Sequence, residues 1–317
     1  MAEISVIIVN WNVRDLLDKC LASLFEAQDA AEPGDGKRPP LEIIVVDCNS
    51  QDASVAMVRA RYPGVKLLPQ PENVGFTRGN NLGMEAAGAD TFLLLNPDTE
   101  VPKDSLITML GYLQQHPNTG ILGPHTLNTD GSHQSTRRRF PTLMTGIFES
   151  SWLAALAPSS VFDSYFMRDT EDDAILEVDW VQGSALMLRR AVYQDIGGLD
   201  EGFVMYSEEL DFCKRAKDAG WKVMYHGGAK IRHHGGKSSE QVAAFKQIQF
   251  HSSKLRYFRK HHGYAHYALL RALLLAQFCW QLFLELGKAC IGHKVALRRQ
   301  RIKIYWQVLR DGLKAKV

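Results

Sequence analysis

Cysteine is scarce in this chain and never paired along it. Five cysteines, Cys20, Cys48, Cys213, Cys279 and Cys290, are scattered over 317 residues with no Cys-x-x-Cys spacing. That excludes a disulfide scaffold and a thiolate zinc site, and it points to a reducing compartment. Long apolar runs are missing near the N-terminus, where only Ile4 to Val9 is continuous, between Glu3 and Asn10. A secretory signal is therefore not expected, and the expected location is cytoplasmic. No internal repeat is found. The 45% hydrophobic and 23% charged content fits neither a disordered nor a collagen-like chain. The length suffices for one large domain, or for a core domain with an appendage.

The first part alternates short apolar runs with helical patterns. Ile4 to Val9, Leu41 to Asp47, Val65 to Leu68, Thr91 to Leu95 and Gly120 to Leu122 predict buried strands. Between the first two, Leu16, Leu17, Cys20, Leu21, Leu24 and Phe25 recur at helical spacing, and weaker helical patterns cover residues 52–62, 78–88 and 102–116. This alternation predicts an α/β fold, a mostly parallel sheet with helices on both faces. Such sheets bind ligands beyond the carboxyl ends of their strands. Residues 29–40, with Pro33, Gly34, Gly36, Pro39 and Pro40, predict a loop. Past residue 128 the pattern loosens, with a basic run Arg137 to Arg139 and an acidic loop Asp169 to Asp173, before one apolar strand over Val178 to Leu188.

The residues after three of these strands are polar: Asn10-Trp11-Asn12, Asp47-Cys48-Asn49-Ser50 and Asn96-Pro97-Asp98. Each alone could be an ordinary strand end or helix cap. Together they should line one edge of the sheet. Asp98 suits Mg²⁺ or Mn²⁺, which takes one or two carboxylates and leaves its remaining positions to phosphate oxygens. Asn96 would add a carbonyl oxygen or hold Asp98. The segment Asn73 to Asn81, with Gly75 and Asn80, combines glycines that permit close backbone approach with amides that hydrogen-bond ribose or phosphate.

Further on, Asp200, Glu201, Glu208 and Glu209 crowd one region. Crowding raises carboxyl pKa values, as a general base requires. Ser207 is a fair helix N-cap and Asp211 and Arg215 are spaced for an i,i+4 pair. His233-His234-Gly235-Gly236 reads as a surface turn by itself, but beside Asp98 a neutral imidazole could complete a metal shell.

In this order the motifs resemble the GT-A fold glycosyltransferases of family 2, especially the rhamnosyltransferase-like members, over residues 3–240. The resemblance implies a Rossmann-like sheet and an inverting, single-addition enzyme moving a sugar from a nucleoside-diphosphate donor to a hydroxyl of a glycan or lipid-linked acceptor. It assigns donor binding to Asn10, Trp11, Asn12, Asp47, Asn73, Gly75, Asn80, Asn96 and Asp98, and acceptor binding to Trp180 and Gly183. It places a divalent cation (Mn or Mg) on Asp98 and His233. The base falls on Glu209 where the family usually has Asp, with Glu208 and Glu209 both open, as His233 and His234 are for the metal. The first position of the DxD-like triplet is Asn96, as in the rhamnosyltransferase-like subgroup. No Gln-x-x-Arg-Trp segment of the processive members is present. Rhamnose from a dTDP donor is the subgroup's analogy.

The expected organisation is a catalytic domain over residues 1–240, with a nucleotide-binding half to about 127 and an acceptor half over 128–240, then a helical extension over 241–317. Residues 291–317 carry eight Lys or Arg against the single acid Asp311, so the rest of the chain is net acidic. Residues 264–290 are rich in Leu and aromatics. Arg271, Gln277, Gln281, Glu285 and Lys288 fall in one sector of the helical wheel, which predicts an in-plane amphipathic helix rather than a spanning one. Anionic lipid at the inner face of the cell membrane would suit this tail, as would docking on the catalytic domain or on a partner subunit. Nucleic acid is not an expected partner. Competing functions are a sugar nucleotidyltransferase, whose Gly-rich basic N-terminal signature is missing from Asn10-Trp11-Asn12, and a non-catalytic nucleotide-sugar sensor.

Overall fold

The computed structural model describes residues 2–29, 39–149, 152–235, 243–292 and 294–313. The loop expected over 29–40 falls largely outside them, as does Gly236. Along the chain run β1 (Ile4–Asn10), α1 (Arg14–Asp29), β2 (Leu41–Asp47), α2 (Ser54–Arg61), β3 (Lys66–Pro69), α3 (Phe76–Ala86) and β4 (Thr91–Leu95). Next come β5 (Thr99–Glu100), α4 (Ser105–Gln115), β6 (Thr119–Leu127), β7 (His133–Gln134), β8 (Arg137–Arg138), α5 (Leu143–Phe148) and α6 (Ser159–Tyr165). The rest are β9 (Ile175–Glu177), β10 (Trp180–Val181), β11 (Ala185–Arg189), α7 (Arg190–Ile196), α8 (Glu208–Asp218), β12 (Lys222–His233), α9 (Ala243–His262), α10 (Tyr264–Cys290) and α11 (Val295–Asp311).

Contacts divide the chain into two units. The first holds Met1–Phe140, Phe166–Glu201 and Glu208–Ser238, the second Pro141–Tyr165, Gly202–Ser207 and Ser239–Val317. In the first, a sheet runs in the order β3-β2-β1-β4-β11-β6-β12-β5, with β7 on β6 and β9 on β12. β1 pairs in parallel with β2 and β4, β2 with β3, and β6 with β12, while β11 runs antiparallel to both β4 and β6. The long strands other than β11 therefore share one direction. Their carboxyl ends lie along a single rim, and β11 begins there.

β1 is buried at every position, as a parallel strand covered on both faces should be. Its alternate residues feed two cores. Ile4, Val6 and Ile8 pack with Leu17, Leu21 and Leu24 of α1, Val58 of α2 and Leu106 and Met109 of α4. Ile7 packs with Met84 of α3, Val192 of α7 and Phe212 of α8. α3 lies close on β1 because its facing residues are glycines. A Cβ on Gly79 would come within 2.8 Å of Val9, and one on Gly83 within 2.2 Å of Ile7.

The expected strand over Val178 to Leu188 is broken. β10 pairs with β8 as a separate two-stranded ribbon, and β11 resumes at Ala185 in the main sheet. The physical reason lies in the intervening Gln182-Gly183-Ser184. The Gln182 amide donates to the Thr136 carbonyl at 3.0 Å, while the Ser184 carbonyl accepts from Asn96, so the chain changes partners there.

In the second unit, α10 is long and apolar enough to cross a membrane by length and composition. Its polar row faces water only in part, at Lys288. Gln277 and Glu285 are buried, Glu285 holds Arg298 of α11 at 2.8 Å, and the Arg271 Nε donates to the Gly312 carbonyl at 2.8 Å. The Arg298 guanidinium of α11 and the Gly312 carbonyl just after it supply partners for that row, so Gln277 and Glu285 turn inward. Phe283 and Trp280 are left 66% and 51% exposed, with Leu269, Leu273 and Leu286.

Candidate active site

Two loops at the rim are joined by side chains. Asp47, buried at the end of β2, accepts from Asn10 Nδ2 at 2.8 Å and from the Ser50 amide at 2.9 Å. Asn12 is left-handed, with φ 52°. Its amide donates to Ser50 Oγ at 3.0 Å and its Oδ1 accepts from the Gln51 amide at 2.7 Å. Trp11, half-buried, sits between them in sequence. The third loop turns at Gly75, φ 81°, whose amide donates to Asn73 Oδ1 at 3.0 Å. It reaches the second loop through Cys48 Sγ, 4.0 Å from the Gly75 carbonyl. Asn80 is buried inside α3 and donates to the Phe76 carbonyl at 3.0 Å, a place that holds the loop rather than one that projects from it.

Beside them, His233 Nε2 at the end of β12 lies 3.2 Å from Asp98 Oδ1, both side chains being buried. A hydrogen-bond chain sets the imidazole. Gln134 Nε2 donates to Asn128 Oδ1 at 2.9 Å, which leaves Gln134 Oε1 to accept from His233 Nδ1 at 2.7 Å. The tautomer so assigned turns the Nε2 lone pair toward the Asp98 carboxylate. A divalent cation would fit between these two groups, since a separation near 3 Å is that of adjacent ligands about 2.1 Å from an octahedral ion; with Nε2 protonated the same contact is an ion pair, and Asn96 Nδ2 also lies 3.4 Å from Nε2. Asn96 Oδ1 is buried without a partner among the described residues, a further oxygen for that ion or its ligand. His234 is otherwise engaged: its Nε2 is 2.8 Å from Glu100 Oε1 and its Nδ1 2.9 Å from Thr129 Oγ1.

The same rim carries the acidic pair. The Asn96 amide donates to the Ser184 carbonyl at 3.0 Å, and the neighbouring Gly183 amide points at Glu209 Oε1 at 3.4 Å. Asn96, two residues before Asp98, and Glu209 are thus held at adjacent residues of one strand end. Burial, with the neighbouring Glu209 charge, pushes Glu208 well above the usual carboxylate range, and burial raises Glu209 as well. Glu208 Oε2 and Glu209 Oε2 have no partner among the described residues.

The expected crowd of four acids is narrower than the sequence suggests. Glu201 turns to Arg78 at 3.6 Å and accepts from Asn81 Nδ2 at 3.1 Å. Arg215 pairs with Asp211 at 2.8 Å, as the spacing predicts, and also donates to the carbonyls of Ile196 and Gly198. Ser207 has φ 63°, outside the extended conformation of an N-cap.

Two residues to which sequence reasoning gave no site role lie here, Gln134 behind His233 and Arg138, whose charge opposes the rise in the Glu209 pKa; Asn81, expected at the donor as part of the Asn73 to Asn81 segment, instead clamps the Leu199 amide and carbonyl at 2.9 Å each. Another group with metal-like spacing, His125, His133 and Asp172, has its ligand atoms within 4.8 Å. There the Arg137 guanidinium already stands 2.9 Å from Asp172 Oδ1, so that carboxylate has its cation.

The model of the family described as "Glycosyl transferase family 2" matches residues 5–197. The N-acetylglucosaminyl-diphospho-decaprenol L-rhamnosyltransferase of Mycobacterium tuberculosis is 28% identical, over 81% of this chain and 84% of that protein. The rhamnosyltransferase WbbL of Escherichia coli is 26% identical, over 69% and 79%. Among solved structures, a mannosyltransferase from Pyrobaculum calidifontis with GDP-Man and Mn²⁺ superposes with a TM-score of 0.53 at 14% identity, over 97% of this chain and 85% of that one. GalNAc-T7 with UDP, GalNAc and Mn²⁺ gives 0.57 at 14% identity, over 82% and 48%. These neighbours share the GT-A fold, and the chain belongs to glycosyl transferase family 2, as a rhamnosyltransferase-like glycosyltransferase.

Proposed function

We propose that this enzyme is an inverting, divalent-metal-dependent transferase that moves a sugar, rhamnose by the names of its relatives, from a nucleoside diphosphate to a hydroxyl of a lipid-linked glycan. The catalytic domain would run to about residue 240. The reading is supported by the Asp98–His233 contact together with the bonds that hold Asn96 to Ser184 and bring Glu209 against Gly183. Asn10, Asp47 and the turn at Gly75 would orient the nucleotide. Glu209 would take the proton of the acceptor hydroxyl as its oxygen bonds to the anomeric carbon, and the bond to the nucleoside diphosphate breaks on the opposite face. Asp98 and His233 would hold the divalent ion, which supplies neutralising charge for the departing diphosphate.

A panel of dTDP-, UDP- and GDP-sugars tests this by thermal stabilisation with Mn²⁺ or Mg²⁺. A cognate donor at a hundredfold its Kd contributes about 2.7 kcal/mol, a rise of several degrees in Tm. No stabilisation by any member, or stabilisation indifferent to EDTA, would sink the proposal.

The second unit supports an acceptor at a membrane surface. The apolar face of α10 is exposed, an apolar cavity of about 140 Å³ beside it is lined by Ile147, Leu153, Leu270, Leu273 and Trp280, and Arg299, Arg301 and Lys303 of α11 are exposed. Each basic residue near an anionic surface contributes about 1 kcal/mol. The full chain should float with phosphatidylglycerol vesicles, and Trp280→Glu/Phe283→Glu should not. A wild type that stays off the vesicles ends the membrane reading.

A further inference from the structure

Two successive residues just ahead of the acidic pair hold a backbone conformation that side chains disfavour. Tyr206 has φ 70° and Ser207 φ 63°, and α8 opens immediately after them at Glu208. A Cβ makes the left-handed region unfavourable, by about 5- to 30-fold in population for each residue. Such a pair persists where its surroundings over-determine it. α9 supplies such surroundings. Gly202–Ser207 group with the helical extension, whereas Glu208 and the residues after it group with the sheet. Phe250, Ser253, Arg256 and Lys260 share one face of α9 by helical spacing, and all four meet this segment. Phe250 stands edge-on to the Tyr206 ring, with 5.7 Å between centroids. Ser253, buried, donates from Oγ to the Met205 carbonyl at 2.8 Å. The Arg256 guanidinium lies 5.1 Å from the Phe203 ring and Lys260 Nζ 5.8 Å from it. Gly202 leaves the space that Arg256 takes, since a Cβ there would come within 2.0 Å of the guanidinium carbon.

Glu209 Oε1 meets the Gly183 amide at a long 3.4 Å, and Oε2 is without a partner among the described residues. The carboxyl therefore goes where its backbone puts it. Glu208 and Glu209 open α8, and an opening turn has no earlier turn to brace it. We propose that α9 positions the general base: Phe250 and Ser253 hold Tyr206 and Met205, which keeps Tyr206 and Ser207 left-handed, and that pair sets the direction in which α8 starts and so where Glu209 stands. Phe250 and Ser253 are positioning residues, acting through the backbone. The inference rests on the reading of Glu209 as the base, and it adds that the helical extension completes the active site.

The test uses the full chain with Mn²⁺, dTDP-rhamnose and N-acetylglucosamine on geranyl diphosphate. Phe250→Ala/Ser253→Ala removes an aromatic contact and a hydrogen bond and should lower kcat about 10-fold, while calorimetry gives an unchanged Mn²⁺-dTDP affinity. Adding Ser207→Gly should recover about 5-fold or more of that loss, because glycine adopts the left-handed region freely. Adding Ser207→Ala, which removes the same hydroxyl but keeps the Cβ, should recover nothing. Hydrogen exchange over residues 203–211 should follow the same order, faster in the double variant and slowed again by Ser207→Gly alone. If the double variant melts below the assay temperature, Ser253→Ala by itself carries the same comparison with a loss of about 3-fold. Wild-type kcat and exchange in the variant without these contacts would overturn the inference. So would a loss that Ser207→Gly and Ser207→Ala recover equally or not at all, and so would a fall in Mn²⁺-dTDP affinity in step with kcat. If wild type moves no sugar, the proposed function fails and takes this inference with it.

Discussion

Glu209→Gln should lower the rate of sugar transfer by about 10²- to 10⁴-fold, the range for removing a general base, or about 3 to 5 kcal/mol of barrier. It should do so without unfolding the protein. Burial raises the Glu209 carboxyl above its ordinary value of 4.5, so wild-type transfer should climb with pH along a limb lying above the usual carboxylate range. That limb should be gone in the Gln variant. Stability moves the opposite way. Between 4.5 and the raised value, the unfolded chain has already released its proton while the folded chain keeps it, so wild-type stability falls as pH rises through this window. The amide has no such loss. Glu209→Gln should therefore melt higher than wild type above the window and about level with it at pH 4. Glu208 serves as the control: it is buried and held neutral by that burial and by Glu209, so Glu208→Gln should keep the limb. A pH limb that survives in Glu209→Gln and vanishes in Glu208→Gln would exchange their roles.

Much of this site is legible in the sequence for a topological reason. Strands that share a direction end at one edge, so polar residues placed after apolar runs must gather there, and Asn10, Asp47, Asn73 and Asp98 do. What escapes is contributed by short antiparallel pieces. Gln134 and Arg138 lie on β7 and β8, two residues each, too brief to show a period, and both are placed by partners far along the chain. The break at Gly183 escapes for a related reason: an apolar run shows that a segment is buried, but it does not show that the segment changes sheets midway. In α10 the periodicity correctly groups Gln277, Glu285 and Arg271, yet a helical wheel names the residues on a face without naming what that face meets. Here it meets Arg298 and the Gly312 carbonyl, which water was expected to replace. Asn81 was expected to face a ligand with the rest of the Asn73 to Asn81 segment, because the sequence does not show that the loop at Leu199 folds onto it and takes both ends of its amide.

Asp98→Asn should abolish metal-dependent activity, by about 10³-fold or more, since it keeps the shape of the side chain and removes the charge that a cation shared with His233 requires. Gln134→Leu probes the same centre from behind. Gln134 accepts from His233 Nδ1 at 2.7 Å and so keeps Nε2 directed at Asp98. Losing such a partner typically weakens metal binding 10- to 100-fold, so Gln134→Leu should need correspondingly more Mn²⁺ and regain much of its kcat when the ion is raised to saturation. Asp98→Asn should not recover. His234→Ala should change little, because both of its ring nitrogens already have partners in Glu100 and Thr129. Titrating Mn²⁺ against activity, and in parallel against the electron paramagnetic resonance of the free ion, separates the cases. An Asp98→Asn enzyme that binds and responds to Mn²⁺ as wild type does would remove the ion from this pair. A Gln134→Leu enzyme whose kcat at saturating Mn²⁺ stays as low as that of Asp98→Asn would mean that Gln134 shapes the rim itself, and not the orientation of one imidazole.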